Sequence, residues 1–221
     1  MLNDPGGREK LLELCGVRRV PIVFRDRKFV FGQKLEDVAE FVGLLGPGPR
    51  LLPPEELTDK WINVLTAAQR YTRQLPHERL AERVIKNRDR TIRLQCHHIF
   101  RIAEAFLETA GDGVRFEDGS QGYLSPDLAI NTSDDLVRYG DNVIARLRLW
   151  WDGLADKSCQ QEVQTFFGTQ TLHMLYERCT WHSAQHARQL MAVIERLGIE
   201  PNGRLTDEDF AGLPLPERLW E

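Results

Sequence analysis

The chain has 221 residues, 42% of them apolar, and a formal net charge of −4. That length fits one sizeable domain, with or without a small appendage, and the charge gives no basic field to draw nucleic acid or an anionic membrane surface. No apolar run approaches the roughly 18 residues that a membrane span needs, and the opening "MLNDPGGREK" has no secretion-type apolar stretch.

The first 45 residues read differently from the rest. Two short β-type runs, 20–24 and 28–31, meet at the charged turn Arg25-Asp26-Arg27. Leu35, Val38, Phe41 and Val42 then recur at helical spacing, and Gly43 or Gly46 ends that helix. Residues 46–56, "GPGPRLLPPEE", hold four prolines. Prolines at that density continue neither a helix nor a central strand, so this stretch reads as a linker and domain boundary.

From Leu57 to Gly198 the pattern is helical. Leu57, Trp61, Val64, Leu65, Ala68 and Tyr71 share one face of a first helix, with Thr58 or Asp59 as N-cap and Pro76 as breaker. A second helix runs through "NRDRTIRLQCHHIFRIAEAFLETA" to Gly111 and Gly113. A loop of about 20 residues follows, long enough to suggest a role of its own. The third helix starts at Thr132 or Ser133, with acidic residues in its first turn. It ends near Trp150 and Trp151, of which one should face the core while the other faces the core or lines a pocket. The fourth lies within 162–197, with Gly168 near its start and Gly198 after its end. Residues 199–221 form a proline-rich tail expected to wrap the surface. The expected fold is mainly α: an antiparallel four-helix bundle over 57–198, preceded by a small β-hairpin plus helix.

The chemistry concentrates in the histidines. His182 and His186 are four residues apart, so their rings share a helix face and can converge on one metal ion. Such pairs also arise by chance on exposed helices. On the second helix, His98 lies about 100° from the centre of the apolar face and His97 about 160° away. His98 therefore points to the bundle seam and His97 to water. Three imidazoles from two helices would suit zinc, nickel or iron, with positions left open. Glu104, Gln185 and Gln189 are candidate partners for the outer ring nitrogens. His173 faces elsewhere and reads as structural; His77 reads as exposed.

The four cysteines, Cys15, Cys96, Cys159 and Cys179, form no Cys-x-x-Cys pair, which points to reduced thiols in a cytoplasmic protein. Cys96 and Cys179 lie near the histidines, as metal thiolates or as small buried apolar side chains. Arg83, Lys86, Arg88, Arg90 and Arg93 form a basic run without an aromatic ladder. It reads as a solvated helix face, or as the rim of a pocket that attracts an anion.

With these residues in view, "CHHIFRIAEAFLE" and "WHSAQHARQL" resemble the DinB-like metalloproteins, a superfamily that includes mycothiol-dependent maleylpyruvate isomerases and bacillithiol S-transferases. The resemblance covers roughly 57–198. It implies a divalent metal held by His98, His182 and His186, with an open coordination position facing a pocket. It also implies a thiol-dependent S-transferase or isomerase acting on a small thiol and an electrophile. The alternative is a non-catalytic metal-binding or stress-response protein of the same type.

The stretch "CGVRRVPIVFRDRKFVFGQKLEDVAEFVGL" resembles the C-terminal half of a glutaredoxin. That resemblance implies a cis bond at Val20–Pro21 and a contact from these two residues to a thiol peptide such as glutathione. The redox-motif half is missing: either the natural chain starts upstream, or the fragment packs on the bundle. The edge of such a hairpin needs a cover, from the bundle or from a second chain, and a homodimer is expected.

Overall fold

A computed structural model describes residues 6–16, 22–26, 28–32, 35–44, 51–85, 89–117 and 130–220. The chain divides into two compact units, Met1–Arg50 and Leu51–Glu221.

In the first unit, α1 (Gly7–Cys15) precedes an antiparallel hairpin of β1 (Ile22–Arg25) and β2 (Lys28–Phe31), followed by α2 (Leu35–Val42). The hairpin pairs Ile22 with Phe31 and Arg25 with Lys28. Phe29 and Phe31, two apart on one strand face, meet edge to face at 5.7 Å. Gly43 closes α2 with φ of 77°, a left-handed turn that glycine adopts without strain. Helix α1 was not expected. Cys15 stands at its C-terminal end and its thiol donates to the Leu11 carbonyl at 2.9 Å, which is not the helix N-terminus that activates redox cysteines. Val20 and Pro21 lie outside the described residues.

The second unit is built on four long helices: α3 (Pro54–Gln74), α4 (Ile92–Ala110), α5 (Ser133–Gly153) and α6 (Leu172–Arg196). A short α7 (Asp207–Phe210) lies in the tail. Helix α3 starts inside the expected linker. Pro54 occupies its first turn, where the missing N–H costs nothing. Thr58 is therefore no cap; its hydroxyl bonds the Pro54 carbonyl and the Tyr176 hydroxyl. Helix α4 starts later than expected, at Ile92, because Thr91 caps it by accepting from the Leu94 N–H. In α5, Thr132 and Asp135 form a reciprocal capping box.

The fourth helix is shorter than expected at its front. Residues 162–171 form a second hairpin, β3 (Glu162–Thr165) with β4 (Gly168–Thr171). Its turn needs Gly168, at φ of 111°, and Thr171 then caps α6. The β-branched threonines on both sides of a left-handed glycine favour a hairpin over a helix.

Helices α3 and α4 each pack against both α5 and α6. Paired residues give the directions. Gln95 meets His186 and Phe106 meets Tyr176, so α4 and α6 run antiparallel. His97 meets Tyr139 and Phe106 meets Trp150, so α4 and α5 run parallel. Thr58 meets Tyr176 and Tyr71 meets Met191, so α3 and α6 are also parallel. The bundle thus mixes two antiparallel and two parallel interfaces. This explains the long α4–α5 loop: parallel neighbours require the chain to return along a helix of about 28 Å, far beyond the reach of a tight turn.

One apolar core joins the four helices. At its centre Trp61, Phe106 and Tyr176 are fully buried, with Phe106 stacked on Tyr176 at 4.8 Å. Trp150 closes on Phe106 at 5.0 Å, and Trp151 lies 6.4 Å from Tyr176. Trp151 therefore belongs to the core cluster and Trp150 packs against it. Fully burying an aliphatic or phenyl side chain of this kind contributes about 1.5–3 kcal/mol. No helix of the described residues is long and apolar enough to cross a membrane.

The tail runs back over α3 and then along α6. Arg70 holds the Asn202 and Gly203 carbonyls, and the Tyr71 hydroxyl bridges Gly203 and the Leu205 N–H. Further on, Arg188 donates to the Pro216 carbonyl at 3.1 Å.

Candidate metal centre

His98 on α4 and His182 and His186 on α6 converge. One nitrogen from each ring lies within 4.8 Å of those from the other two. Ring centroids are 5.2 Å apart for His98 and His182, and 4.8 Å for each of the other two pairs. The cause is local: a four-residue step puts His182 and His186 on one face of α6. Antiparallel packing then sets His98 opposite them, anchored by Ser183, whose hydroxyl donates to the Ile99 carbonyl at 3.2 Å.

The polar setting of His186 fixes which nitrogen is free to coordinate. Its Nδ1 lies 2.8 Å from Gln189 Oε1, so Nδ1 carries the proton and donates. The Gln95 amide donates to Gln189 Oε1 and to the His186 carbonyl, both at 3.2 Å. The Gln95 amide nitrogen also lies 3.1 Å from Nδ1; with Nδ1 protonated it spends its two hydrogens on these oxygens, and the Nε2 lone pair is left available, the arrangement metal-binding histidines use. Gln95 was not among the expected partners, although it sits three residues before His98 on the same helix face. Gln189 was expected and takes that role.

Glu104 does not. It accepts from the Tyr139 hydroxyl at 2.5 Å and from Arg101 and Arg146. Burial pushes its carboxyl up, but these donors outweigh burial and hold it below the usual range. Gln185 turns instead to the tail, donating to the Leu219 carbonyl at 2.9 Å.

His182 is held as the neutral ring, well below its usual pKa. Burial is the main cause, followed by the neighbouring His186, His98, Arg178 and Arg90. Neutral imidazole is the form that binds metal. The donor set therefore suits a borderline divalent ion: three imidazoles, with no carboxylate or thiolate among the described residues of the cluster.

Cys96 and Cys179 are fully buried and stay out of the cluster. Burial pushes the Cys96 thiol up to about 12, so it serves as a small apolar side chain.

His97 departs from expectation. It is 3% exposed and stacks on Tyr139 at 4.9 Å. Burial, and next the charge of Arg101, lowers it to about 4. Arg90 departs too. Its Nη1 lies 3.4 and 3.5 Å from the two nitrogens of the His186 ring and donates to Gln95 Oε1 at 3.1 Å. At least this member of the basic run is built into the site rather than solvated. His173 is structural as expected, its Nε2 donating to the Leu52 carbonyl at 2.7 Å. His77 is exposed.

A cavity of about 400 Å³ opens beside the cluster. Trp181, His182, His186 and Gln189 form one wall, and tail residues Pro214, Leu215 and Pro216 the other. Gln185 and Gln189 pin that wall through the Leu219 carbonyl.

No family model matches the sequence, and no curated protein matches it. Among solved structures, the chain is similar to a mycothiol-dependent maleylpyruvate isomerase, at 18% identity and a TM-score of 0.48. That likeness covers 63% of this chain and 61% of the isomerase, so it spans about three-fifths of the isomerase's length. YfiT from Bacillus subtilis, described as a probable metal-dependent hydrolase with an unusual four-helix bundle topology, is 15% identical with a TM-score of 0.48. It is covered over 95% of its length by 71% of this chain. At these identities and scores no activity or ligand carries over to this chain.

Proposed function

We propose that His98, His182 and His186 hold one divalent metal ion, zinc, nickel or iron, with open positions facing the cavity. One observation carries this reading: three imidazoles from two helices converge, two of them, His182 and His186, line a cavity, and His186 has one ring nitrogen against a glutamine oxygen. A bound ion of this kind supplies Lewis acidity and lowers the pKa of a water or thiol beside it. The chain's residues do the rest. Gln95 and Gln189 orient the His186 ring. Trp181 and the Pro214–Pro216 wall enclose the reacting groups and limit competing water.

Within that frame the protein is a metal-dependent enzyme of the thiol-transferase or isomerase type. It acts on a small electrophile with glutathione or another low-molecular-weight thiol. The resemblance of the histidine-bearing segments to DinB-like metalloproteins supports the thiol chemistry. The test is thiol consumption with a panel of electrophiles, on metal-loaded and chelator-stripped protein. Turnover only in the loaded form is the expected result. Turnover insensitive to chelator contradicts the metal dependence, and none with any thiol contradicts the thiol chemistry; bound metal without turnover favours the non-catalytic alternative.

A further inference from the structure

The cavity beside the histidine cluster has an apolar side. Trp181 stands next to His182 on α6, with ring centroids 5.7 Å apart, and lines the cavity together with Pro214, Leu215 and Pro216 of the tail. Proline fixes φ at two of those three tail positions, and three α6 side chains hold the segment down. Arg188 donates to the Pro216 carbonyl, and Gln185 and Gln189 donate to the Leu219 carbonyl. The apolar wall is therefore in place before any ligand arrives, which lowers the ordering cost of binding.

The glutamines of the lining are already engaged at both ends. Gln185 donates to Leu219, and its Oε1 accepts from Arg188 at 3.0 Å. Gln189 donates to Leu219, and its Oε1 accepts from His186 Nδ1 at 2.8 Å. A ligand needs to satisfy neither amide. Among the described residues, no carboxylate, lysine or arginine lines the cavity. A charged group placed against this wall would lose water without gaining a counter-ion. A flat apolar ring would instead gain contact with the indole and the proline rings.

We propose that the cavity takes a ligand with an uncharged, flat apolar body, an aromatic ring or its equivalent, packed against Trp181 and the Pro214–Pro216 wall with its metal-binding end at the three-histidine centre. Trp181 and Leu215 are then specificity-determining residues: they select the body of the ligand while the ion takes its head. A volume of about 400 Å³ lies within the range of small-molecule sites. The substrate class of the proposed enzyme is accordingly an aromatic or similarly apolar electrophile. The inference rests on the metal reading above.

The experiment is titration of zinc-loaded protein with three hydroxamates that share one zinc-binding head: acetohydroxamate, benzohydroxamate and 4-carboxybenzohydroxamate. Wild type, Trp181→Ala and Leu215→Ala are compared, with zinc content measured on the same samples. In wild type, benzohydroxamate should bind about 10-fold or more tighter than acetohydroxamate, and at least as tightly as its carboxylated analogue. One or both substitutions should cut that ratio about 3-fold or more with zinc still bound. Should Trp181→Ala lose its zinc, Leu215→Ala decides, since Leu215 stands far in sequence from every candidate ligand. A wild-type ratio near one, a ratio that neither substitution lowers, or tighter binding of the carboxylated probe overturns the apolar preference and leaves the metal reading intact. A wild-type chain that binds no zinc sinks the metal reading and this inference with it.

Discussion

Nδ1 of His186 lies 2.8 Å from Oε1 of Gln189, one turn further along the same helix. That contact sets the ring's tautomer, and the Gln95 amide backs it from α4. Replacing Gln189 with leucine frees the ring to flip and removes a donor to the Leu219 carbonyl. Metal affinity should fall about 10- to 100-fold, measured by competition with a chromophoric chelator, while far-ultraviolet circular dichroism stays unchanged. Gln95→Leu should act in the same direction. Unchanged affinity in both variants contradicts the proposed support of His186.

The tail forms the second wall of the cavity through Pro214, Leu215 and Pro216. Removing residues 214–221 should leave the metal stoichiometry intact, since no ligand is lost, but speed metal release to an excess of chelator. A release rate equal to that of the full chain argues that the tail does not shield the site.

Gly140 on α5 faces Phe100 on α4. A Cβ built there falls 2.8 Å from two atoms of the buried phenyl ring. Glycine in a helix interior ordinarily costs about 1 kcal/mol relative to alanine. Here the close approach reverses the sign: Gly140→Ala should destabilise by about 1–3 kcal/mol through overpacking. Urea unfolding of the two chains decides it, and a stabilised variant refutes the close approach of α4 and α5.

Asp135 closes the capping box of α5. The Thr132 hydroxyl and N–H, with the Asn131 N–H, hold its carboxyl down at about 2. A carboxyl lowered on folding contributes stability that is present above its unfolded pKa, about 4, and is lost as pH falls through the folded value. The urea midpoint of Asp135→Ala should therefore lie below wild type at pH 7 and approach it between about pH 4 and pH 2. A gap that does not change with pH is the contrary outcome.

The helical periodicity of 57–198 and the four-residue step from His182 to His186 were legible because both follow from helix geometry alone. His97 was misread for an instructive reason. The wheel of α4 was centred on a single apolar face, but α4 packs against both α5 and α6. A helix with two neighbours buries two flanks, so His98 meets α6 while His97 stacks on Tyr139 of α5. Arg90 looked like surface charge because nothing in the spacing shows that the turn before α4 folds onto the His186 ring. The hairpin before α6 was hidden by the strength of the helix behind it, although the threonines around Gly168 were a usable signal. Gln95 was hidden for the same kind of reason: it supports His186 from the neighbouring helix α4, a contact that spacing along one helix does not show.

The central claim is tested most directly by metal analysis of protein purified without a histidine tag. Wild type and the single variants His98→Ala, His182→Ala and His186→Ala are compared, with circular dichroism confirming the fold of each. The expected result is about one divalent ion per wild-type chain and its loss in all three variants. A wild-type chain without bound metal, or a His98→Ala chain that retains it in full, contradicts the three-histidine centre.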